Sequence, residues 1–339
     1  MISKNVVITG AAGMVGSHLI DYLRVREPSW KLHLFIRWQE DMKNLEHVFD
    51  EVEKKEYIKI WYGDLRDRGS IAEVFKSCQV DYVFHLGAQS YPQTSFTNEI
   101  ETYESNIIGT ENLLKCVKDH APLARVHNCS SSEVFGRVAP EKLPIDEECS
   151  FHPASPYAIS KIGTDLIGRY YAEAYDLPIF TTRMFTHTGP RRGDVFAEST
   201  FAKQIALIEA GYQDPVIKVG NLESQRTWAD VRDAVRAYHM LLTTDTIPNG
   251  DYFNIGGETI KTIREMLDHL ISLSTCKGVI KIEEDPERLR PIDADLQVPN
   301  TAKFVAATGW KPEYSFEDTM EDLLNYWRKA VSTRRYLSR

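Results

Sequence analysis

The run Gly10-Ala-Ala-Gly13-Met-Val-Gly16 follows directly on an apolar segment, Asn5–Thr9, and an amphipathic segment begins inside it. No other stretch narrows the choice of fold as far. Glycines let a backbone turn tightly and approach a pyrophosphate closely, and a helix start offers free N–H groups with a partial positive charge. Gly10, Gly13, Met14, Val15 and Gly16 are therefore expected to cradle a dinucleotide. A plain tight turn between strand and helix has the same composition, so the rest of the chain has to supply the context.

Short β-branched apolar runs at Leu32–Ile36, Ile58–Tyr62, Tyr82–Leu86, Val126–Cys129 and Ile179–Arg183 alternate with longer amphipathic segments, the pattern of a parallel sheet wrapped by helices. Val15, Leu19 and Leu23, and later Ile107, Leu113, Leu114 and Val117, recur at helical spacing, which marks crossover helices facing the sheet. Past Gly189 the alternation loosens. A helix is expected at Phe201–Ala210, a strand at Val216–Val219, a helix at Val231–Leu242, a strand at Tyr252–Ile255, a helix at Ile263–Leu273 and a last helix from Phe316 to Trp327. Pro286, Pro291 and Pro299 exclude a long helix across Asp285–Thr301, which is expected to run as an extended surface loop. The fold class is α/β: a Rossmann-type doubly wound parallel sheet over residues 1–188 and a smaller C-terminal α/β substrate lobe over residues 189–339, with a cleft between them.

Composition limits the ligands. The 339 residues carry 40 Lys+Arg against 49 Asp+Glu, a net charge of -9, so no broad basic face is available for nucleic acid or an anionic membrane. An anionic ligand must be met by a local cluster of cations and backbone N–H groups. No apolar stretch approaches the ~20 residues that span a bilayer, and Met1–Thr9 is too short for a signal peptide, so a cytoplasmic protein is expected. Cys78, Cys116, Cys129, Cys149 and Cys276 form no C-x-x-C pair. Neither a disulfide framework nor a metal site is expected, and the cysteines read as small apolar fillers.

At the end of the second strand an NAD-preferring protein places Asp or Glu to accept from the ribose 2′-OH. Here the chain reads Phe35-Ile36-Arg37-Trp38. Arg37 suits a 2′-phosphate, so NADP is expected in preference to NAD, although Glu40 or Asp41 could still reach the ribose and Arg37 could be a plain surface residue. Asp64, in Gly63-Asp64-Leu65 past the third strand, is placed to accept from an adenine amino group. Leu86, Gly87 and Ala88 end the fourth strand, where a small residue lets the cofactor come close.

Tyr157 and Lys161 stand four apart at the start of an expected helix, which puts both on one face. An ammonium beside a phenol favours the phenolate and brings a pKa of about 10 toward the working range, so Tyr157 is the candidate base. Tyr-x-x-x-Lys gains its meaning from company: Ser130-Ser131-Ser132-Glu133 past the fifth strand, and the glycine run at the start. Ser131 is placed to hydrogen-bond a hydroxyl or carbonyl of a substrate, while a hydroxyl-capped turn accounts equally well for Ser130 and Ser132.

The glycine run, the Ser131, Tyr157 and Lys161 set and the layout of the whole chain resemble the extended short-chain dehydrogenase/reductase family. Within it the likeness is to the nucleotide-sugar enzymes of GDP-mannose metabolism, and it divides two ways. Leu86-Gly-Ala-Gln-Ser90 with Ser95-Phe96, the serine run ending in Glu133, and Gly189-Pro-Arg-Arg-Gly193 resemble GDP-mannose 4,6-dehydratases. Phe201-Ala-Lys-Gln-Ile205, Val219-Gly-Asn-Leu222 and Asp230-Val-Arg-Asp233 resemble GDP-4-keto-6-deoxy-mannose reductases. Ser131 stands where the dehydratases usually carry Thr, Thr186 where the family commonly has Asn, and Pro299-Asn-Thr-Ala-Lys303 lacks the acid of a Gly-Asp-Pro-x-Lys loop.

The resemblance implies an NADP-dependent nucleotide-sugar 4,6-dehydratase acting on GDP-mannose or a close relative. In that reaction Tyr157 takes the sugar 4-OH proton and Glu133 the C5 proton, water leaves from C6, and the hydride lost at C4 returns to C6. Two alternatives stand beside it. A reductase of the 4-keto-6-deoxy sugar, or a related epimerase, needs Ser131, Tyr157 and Lys161 but no base for C5. A catalytically silent NADP-binding protein has no need of a lowered phenol pKa.

For the substrate, Arg191, Arg192, Lys203, Arg226 and Arg290 fall in or beside the second lobe, and guanidinium forks match diphosphate oxygens. The resemblance places Arg226 and Arg290 at the nucleotide diphosphate and ribose, where Asp293 could accept from ribose hydroxyls. Ser90, Ser132, Thr186 and Gly220 complete the expected substrate contacts, and Trp228 and Phe196 offer apolar faces or pack as core under a loop. A homodimer or homotetramer is the family's habit. Leu166, Ile167, Tyr170 and Tyr171 put apolar groups on more than one face of the helix Tyr157–Ala174, which with Ile100–Val117 is the candidate for a bundle shared between copies.

Overall fold

Each short apolar run of the first half becomes a strand. The computed structural model, which describes residues 3–54, 56–288 and 296–337, has β1 (Asn5–Thr9), β2 (Lys31–Ile36), β3 (Ile58–Tyr62), β4 (Tyr82–His85), β5 (Arg125–Cys129) and β6 (Ile179–Met184). Between them run α1 (Met14–Arg26), α2 (Phe49–Lys54), α3 (Arg68–Ser77), α4 (Pro92–Ser95), α5 (Glu99–Tyr103), α6 (Gly109–His120) and α7 (Pro156–Tyr175). The second half adds β7 (His187–Thr188), α8 (Ala197–Glu209), β8 (Val216–Val219), β9 (Gln225–Asp230), α9 (Val231–Thr243), β10 (Tyr252–Ile255), β11 (Thr259–Thr262), α10 (Ile263–Ser272), β12 (Lys281–Glu284), β13 (Leu296–Gln297), α11 (Ala302–Thr308) and α12 (Phe316–Ser332).

Seven strands form one parallel sheet in the order β10-β6-β5-β4-β1-β2-β3. Both of its faces are covered, as a parallel sheet requires. On one face Leu19, Ile20 and Leu23 of α1 and Ala234, Tyr238 and Leu241 of α9 pack into a single core. On the other, Val74 and Phe75 of α3, Leu113, Leu114 and Val117 of α6 and Tyr171 of α7 do the same. The strand order reverses between β1 and β4, the switch point at which a crevice opens beyond the carboxyl ends of the strands.

The chain returns to this sheet from its second half, since β10 pairs with β6 from Tyr252↔Thr181 to Ile255↔Met184. The remaining elements build a second core in which α8, α10 and α12 bury Phe201, Ile205, Met266, Leu267, Met320 and Trp327 against β8. Gln225–Asp230, where the sequence pattern predicts no strand, is one, and Asp230 at its end caps α9. β9 pairs antiparallel with β11 and parallel with β13 and β7, so its partners lie far along the chain.

The expected single helix over Ile100–Val117 is interrupted by a π turn at Glu104–Ile108. Its cause lies in Asn106. The Asn106 side chain donates to Gln89 O at 2.9 Å and to Ser160 Oγ at 2.8 Å, and its carbonyl accepts from Thr110 Oγ1 and from Thr164 Oγ1 of α7. Widening the turn frees that carbonyl for the neighbouring helix. Among the described residues no helix is long and apolar enough to cross a membrane.

Candidate active site

The carboxyl ends of the central strands open into a cleft of about 990 Å³ whose lining extends from the glycine turn to the second lobe. Gly10 has φ +66, and a Cβ there would stand 2.8 Å from Gly87 Cα; at Gly16 a Cβ would stand 2.4 Å from Gly10 O. Only glycine lets strand, turn and helix close this tightly against β4. With Gly13 as its N-cap, α1 has no side-chain cap and no acid in its first turn. Its first N–H groups are left for an anion in the cleft. Gly10, Gly13, Met14, Val15 and Gly16 all line it, and this uncapped, acid-free start fits the pyrophosphate of a dinucleotide.

Arg37, Asp64, Leu65, Leu86, Gly87 and Ala88 line the same end. Arg37 is exposed and ion-paired with Glu40 at 2.7 Å. Asp64 is not the unengaged acceptor the sequence suggests. Arg66 grips its two oxygens at 3.0 and 2.6 Å and holds the carboxyl below the usual carboxylate range. The proximity of Arg66 to Asp64 in the chain was its one signal in sequence.

The catalytic wall is assembled by two turns. Past β5, Ser131 caps the turn Ser132–Phe135 by accepting from Glu133 N at 3.2 Å. Ser155 caps α7, its Oγ accepting from Ala158 N, while Ser95 Oγ accepts from Tyr157 N at 3.0 Å. These contacts bring Ser131, Glu133, Tyr157 and Lys161 into one stretch of cleft wall.

Burial pushes the Tyr157 phenol above its ordinary range, while a hydrogen bond from Ser131 and the charge of Arg192 pull the other way. Burial also lowers Lys161, whose Nζ donates to Cys129 O at 2.7 Å. The expectation that Lys161 depresses the Tyr157 pKa is therefore corrected. Lys161 Nζ is held at the end of β5, burial leaves the phenol raised, and the charge of Arg192 acts against that rise.

Ser90, Ser132, Thr186, Arg192, Gly220 and Arg226 line the cleft as expected of substrate contacts. Arg192 interacts electrostatically with Tyr157 on the catalytic wall. Its guanidinium lies 3.4 Å over the Phe196 ring, Nε is 3.2 Å from Glu198 Oε1, and burial lowers its pKa. Lys203 is a correction, because it is not part of the lining. It faces α12, with Nζ 2.7 Å from Asp194 and over the Trp327 ring. Arg290 and Asp293 lie outside the described residues. Asn221, Ser224 and Arg288 line the nucleotide end and went unread in sequence; a Cβ on Gly220 would stand 2.7 Å from Arg288 O, so the two loops touch. Trp228 is buried edge-on against Phe316 yet reaches the lining.

A glycine-turned dinucleotide end, a Ser-Tyr-Lys wall and a second lobe across one cleft define an enzyme of the extended short-chain dehydrogenase/reductase class. Residues 7–323 match the GDP-mannose 4,6 dehydratase family, and the chain belongs to that family. It is 28% identical to the GDP-mannose 4,6-dehydratase sdnI of Sordaria araneosa over 95% of this chain and 60% of that protein, so it spans less than two thirds of that relative's length. It is also 28% identical to the GDP-6-deoxy-D-mannose reductase of Pseudomonas aeruginosa, over 97% of this chain and 99% of that one. The solved structure of RMD from Pseudomonas aeruginosa complexed with NADPH superposes with a TM-score of 0.79 at 28% identity, covering 96% of this chain and 99% of the other.

Proposed function

We propose that the protein is an NADP-dependent GDP-mannose 4,6-dehydratase, with residues 1–188, completed by α9 and β10, holding the cofactor and the rest of residues 189–339 the nucleotide sugar. The observation that carries this reading is Glu133. It lines the same wall as Ser131 and Tyr157, and its backbone N–H rests on Ser131 Oγ at 3.2 Å. A dehydratase needs a carboxylate there and a 4-keto reductase does not.

When bound, NADP supplies a hydride acceptor for C4 and a hydride donor for C6. The protein's own part is proton handling. Tyr157 takes the proton of the sugar 4-OH, with Ser131 hydrogen-bonding that oxygen. Ser131 and Arg192 act against the burial that raises the phenol, which stays above its ordinary range. The C4 ketone acidifies the C5 hydrogen. Glu133 removes that proton and delivers one to the departing C6 hydroxyl, which leaves as water. Arg37 and Arg66 at the adenosine end, and the NADPH held by RMD, support NADP over NAD.

A second reading, the GDP-4-keto-6-deoxy-mannose reductase, is supported by the reductase-like stretches in the second lobe and by the full-length match to the Pseudomonas reductase. The purified protein, incubated with GDP-mannose and catalytic NADP but no NADPH, is expected to yield a product lighter by one water in mass spectrometry. No reaction with GDP-mannose, together with stoichiometric NADPH consumption on the 4-keto-6-deoxy sugar, would move the assignment to the reductase.

The working unit is proposed to be a dimer or a tetramer built from dimers, in the cytoplasm. Ile100 and Ile108 beside Ile159, Leu166 and Tyr170 of α7 are exposed apolar groups on adjacent helices, as a bundle between copies needs. The five free cysteines suit a reducing compartment.

A further inference from the structure

The chemistry above leaves the position of Tyr238 without a purpose. It belongs to α9 on the back of the sheet, is fully buried, and lays its ring 4.1 Å from that of His127 on β5. In sequence it reads as an ordinary core residue of an amphipathic helix. Yet Tyr238 also lines the cleft, and its buried hydroxyl has no nitrogen or oxygen partner among the described residues. The groups nearest that hydroxyl in the electrostatics of the site are the Cys129 thiol and the Tyr157 phenol.

A buried hydroxyl lacking a proper partner costs about 1–3 kcal/mol, and Phe would fill the same space without that cost. Cys129 lines the cleft beside it, with its carbonyl holding Lys161 Nζ at 2.7 Å. Hydroxyl and thiol thus form a small polar floor at the end of β5, under the catalytic wall and reached from the sheet side.

We propose that the Tyr238 hydroxyl and the Cys129 thiol form a polar contact for the carboxamide of the cofactor's nicotinamide ring, and so position that ring. The inference rests on the reading that NADP is the cofactor. Hydride transfer requires the ring to face the sugar carbon whose oxygen meets Tyr157. A cofactor entering at the glycine turn runs along the carboxyl ends of the strands, so the group nearest the end of β5 belongs to the ring and not to the sugar. A carboxamide carries both a carbonyl acceptor and N–H donors, which matches a hydroxyl and a thiol that can each give or take a hydrogen bond. Burial keeps the Tyr238 phenol far above its ordinary range, so it stays protonated and is a positioning group, not a second base.

The test is calorimetric binding of NADP and of its nicotinamide-free counterpart, 2′-phospho-ADP-ribose, to the full-length protein. Wild type is expected to bind both. In Tyr238→Phe the NADP dissociation constant is expected to rise about threefold to tenfold, the worth of one neutral hydrogen bond, with no change for 2′-phospho-ADP-ribose and no loss of melting temperature. Cys129→Ala should show the same selective loss and serves if the tyrosine variant does not fold. Equal affinities of variant and wild type for NADP, or an equal loss for both ligands, would overturn the inference while leaving the cofactor reading intact. Wild type that binds neither ligand would bring down the cofactor reading, and this inference with it.

Discussion

Arg191 Nη1 lies 2.8 Å from the carboxylate of Asp21, an ion pair that joins the helix of the glycine turn to the loop carrying Arg192. A second tie runs beside it, from His18 Nε2 of the same helix to Pro190 O at 3.0 Å. His18 is kept neutral by burial, its pKa lowered to about 4. The loop holds Arg191 at φ +68, the left-handed region, where a non-glycine residue stores roughly 1–2 kcal/mol. Arg191→Gly is therefore expected to leave stability unchanged or slightly raised, since a pair this near the surface contributes under about 1 kcal/mol. Its KM for the nucleotide sugar should rise severalfold as Arg192 loses its anchor. Melting temperature and KM, measured on the same preparation, check the two opposite directions.

Tyr157→Phe removes only the proton-transfer oxygen, because the ring still fills a pocket that leaves Tyr157 8% exposed. Turnover is expected to fall by about 10²–10⁴-fold, the usual reach of general acid–base catalysis, with NADP affinity preserved. Steady-state rates beside calorimetric binding decide it. Retention of more than about a tenth of the wild-type rate would exclude Tyr157 as the base, on the same scale.

Asp165 receives Arg183 through two hydrogen bonds of 2.9 and 3.1 Å with both side chains buried, and Arg183 Nη1 also donates to Glu147 O. This pins α7, four residues past Lys161, to β6. Asp165→Asn strands a buried guanidinium charge and is expected to cost about 3–5 kcal/mol, read as a lower urea midpoint with an unchanged slope. The Arg183→Met, Asp165→Leu double variant is expected to recover most of that loss, because an apolar pair leaves no buried charge behind.

The pH dependence of stability follows from buried histidines. Burial holds His85 and His127 near about 3, against about 6.5 in an unfolded chain. Between those values the unfolded chain binds protons that the folded one does not. Their contribution is thus complete above the unfolded pKa and is lost as pH falls through the window, by up to about 1.4 kcal/mol per pH unit for each histidine. His85 bridges Thr9 Oγ1 and Thr110 Oγ1 at 2.9 and 3.0 Å. His85→Asn should flatten the fall in urea-unfolding free energy between mildly acidic and neutral pH. An unchanged slope would mean that the folded protein accepts the proton.

These variants also mark where sequence stops being legible. β1, β3, β8 and β10 are readable to the residue because each is a short run rich in β-branched or aromatic residues stopped by polar or turn residues. The glycine turn and the Ser131, Tyr157 and Lys161 wall are readable because their chemistry is written in local spacing. β9 is not, since Gln225-Arg-Thr-Trp-Ala-Asp230 has no period of its own and becomes a strand only by pairing with β11, β13 and β7. Direction is the other loss. Lys203 and Arg192 are equally plausible cations in sequence, yet Asp194 turns the first away from the cleft and Glu198 with Phe196 holds the second in it. Tyr238 shows the same limit from the opposite side, a core position of α9 that also belongs to the cleft lining through its packing against β5.

Glu133 separates the two readings of the reaction most directly. A dehydratase must take the C5 proton and needs no external reductant, whereas the reductase consumes NADPH and never touches C5. In D2O, GDP-mannose is expected to become a 4-keto-6-deoxy product carrying deuterium at C5. Glu133→Gln should abolish both the loss of water and the label, because an amide cannot accept the proton, while it keeps the size of the side chain and the Glu133 N–H contact to Ser131 Oγ. Oxidation at C4 depends on Tyr157 and Lys161 and should persist in the variant as a single-turnover rise in reduced-nicotinamide absorbance. NMR of the product and that absorbance trace together decide the matter: elimination and label retained in Glu133→Gln would place the C5 base elsewhere in the cleft, and a simultaneous loss of C4 oxidation would show that Glu133 supports the wall as a whole instead of acting on C5.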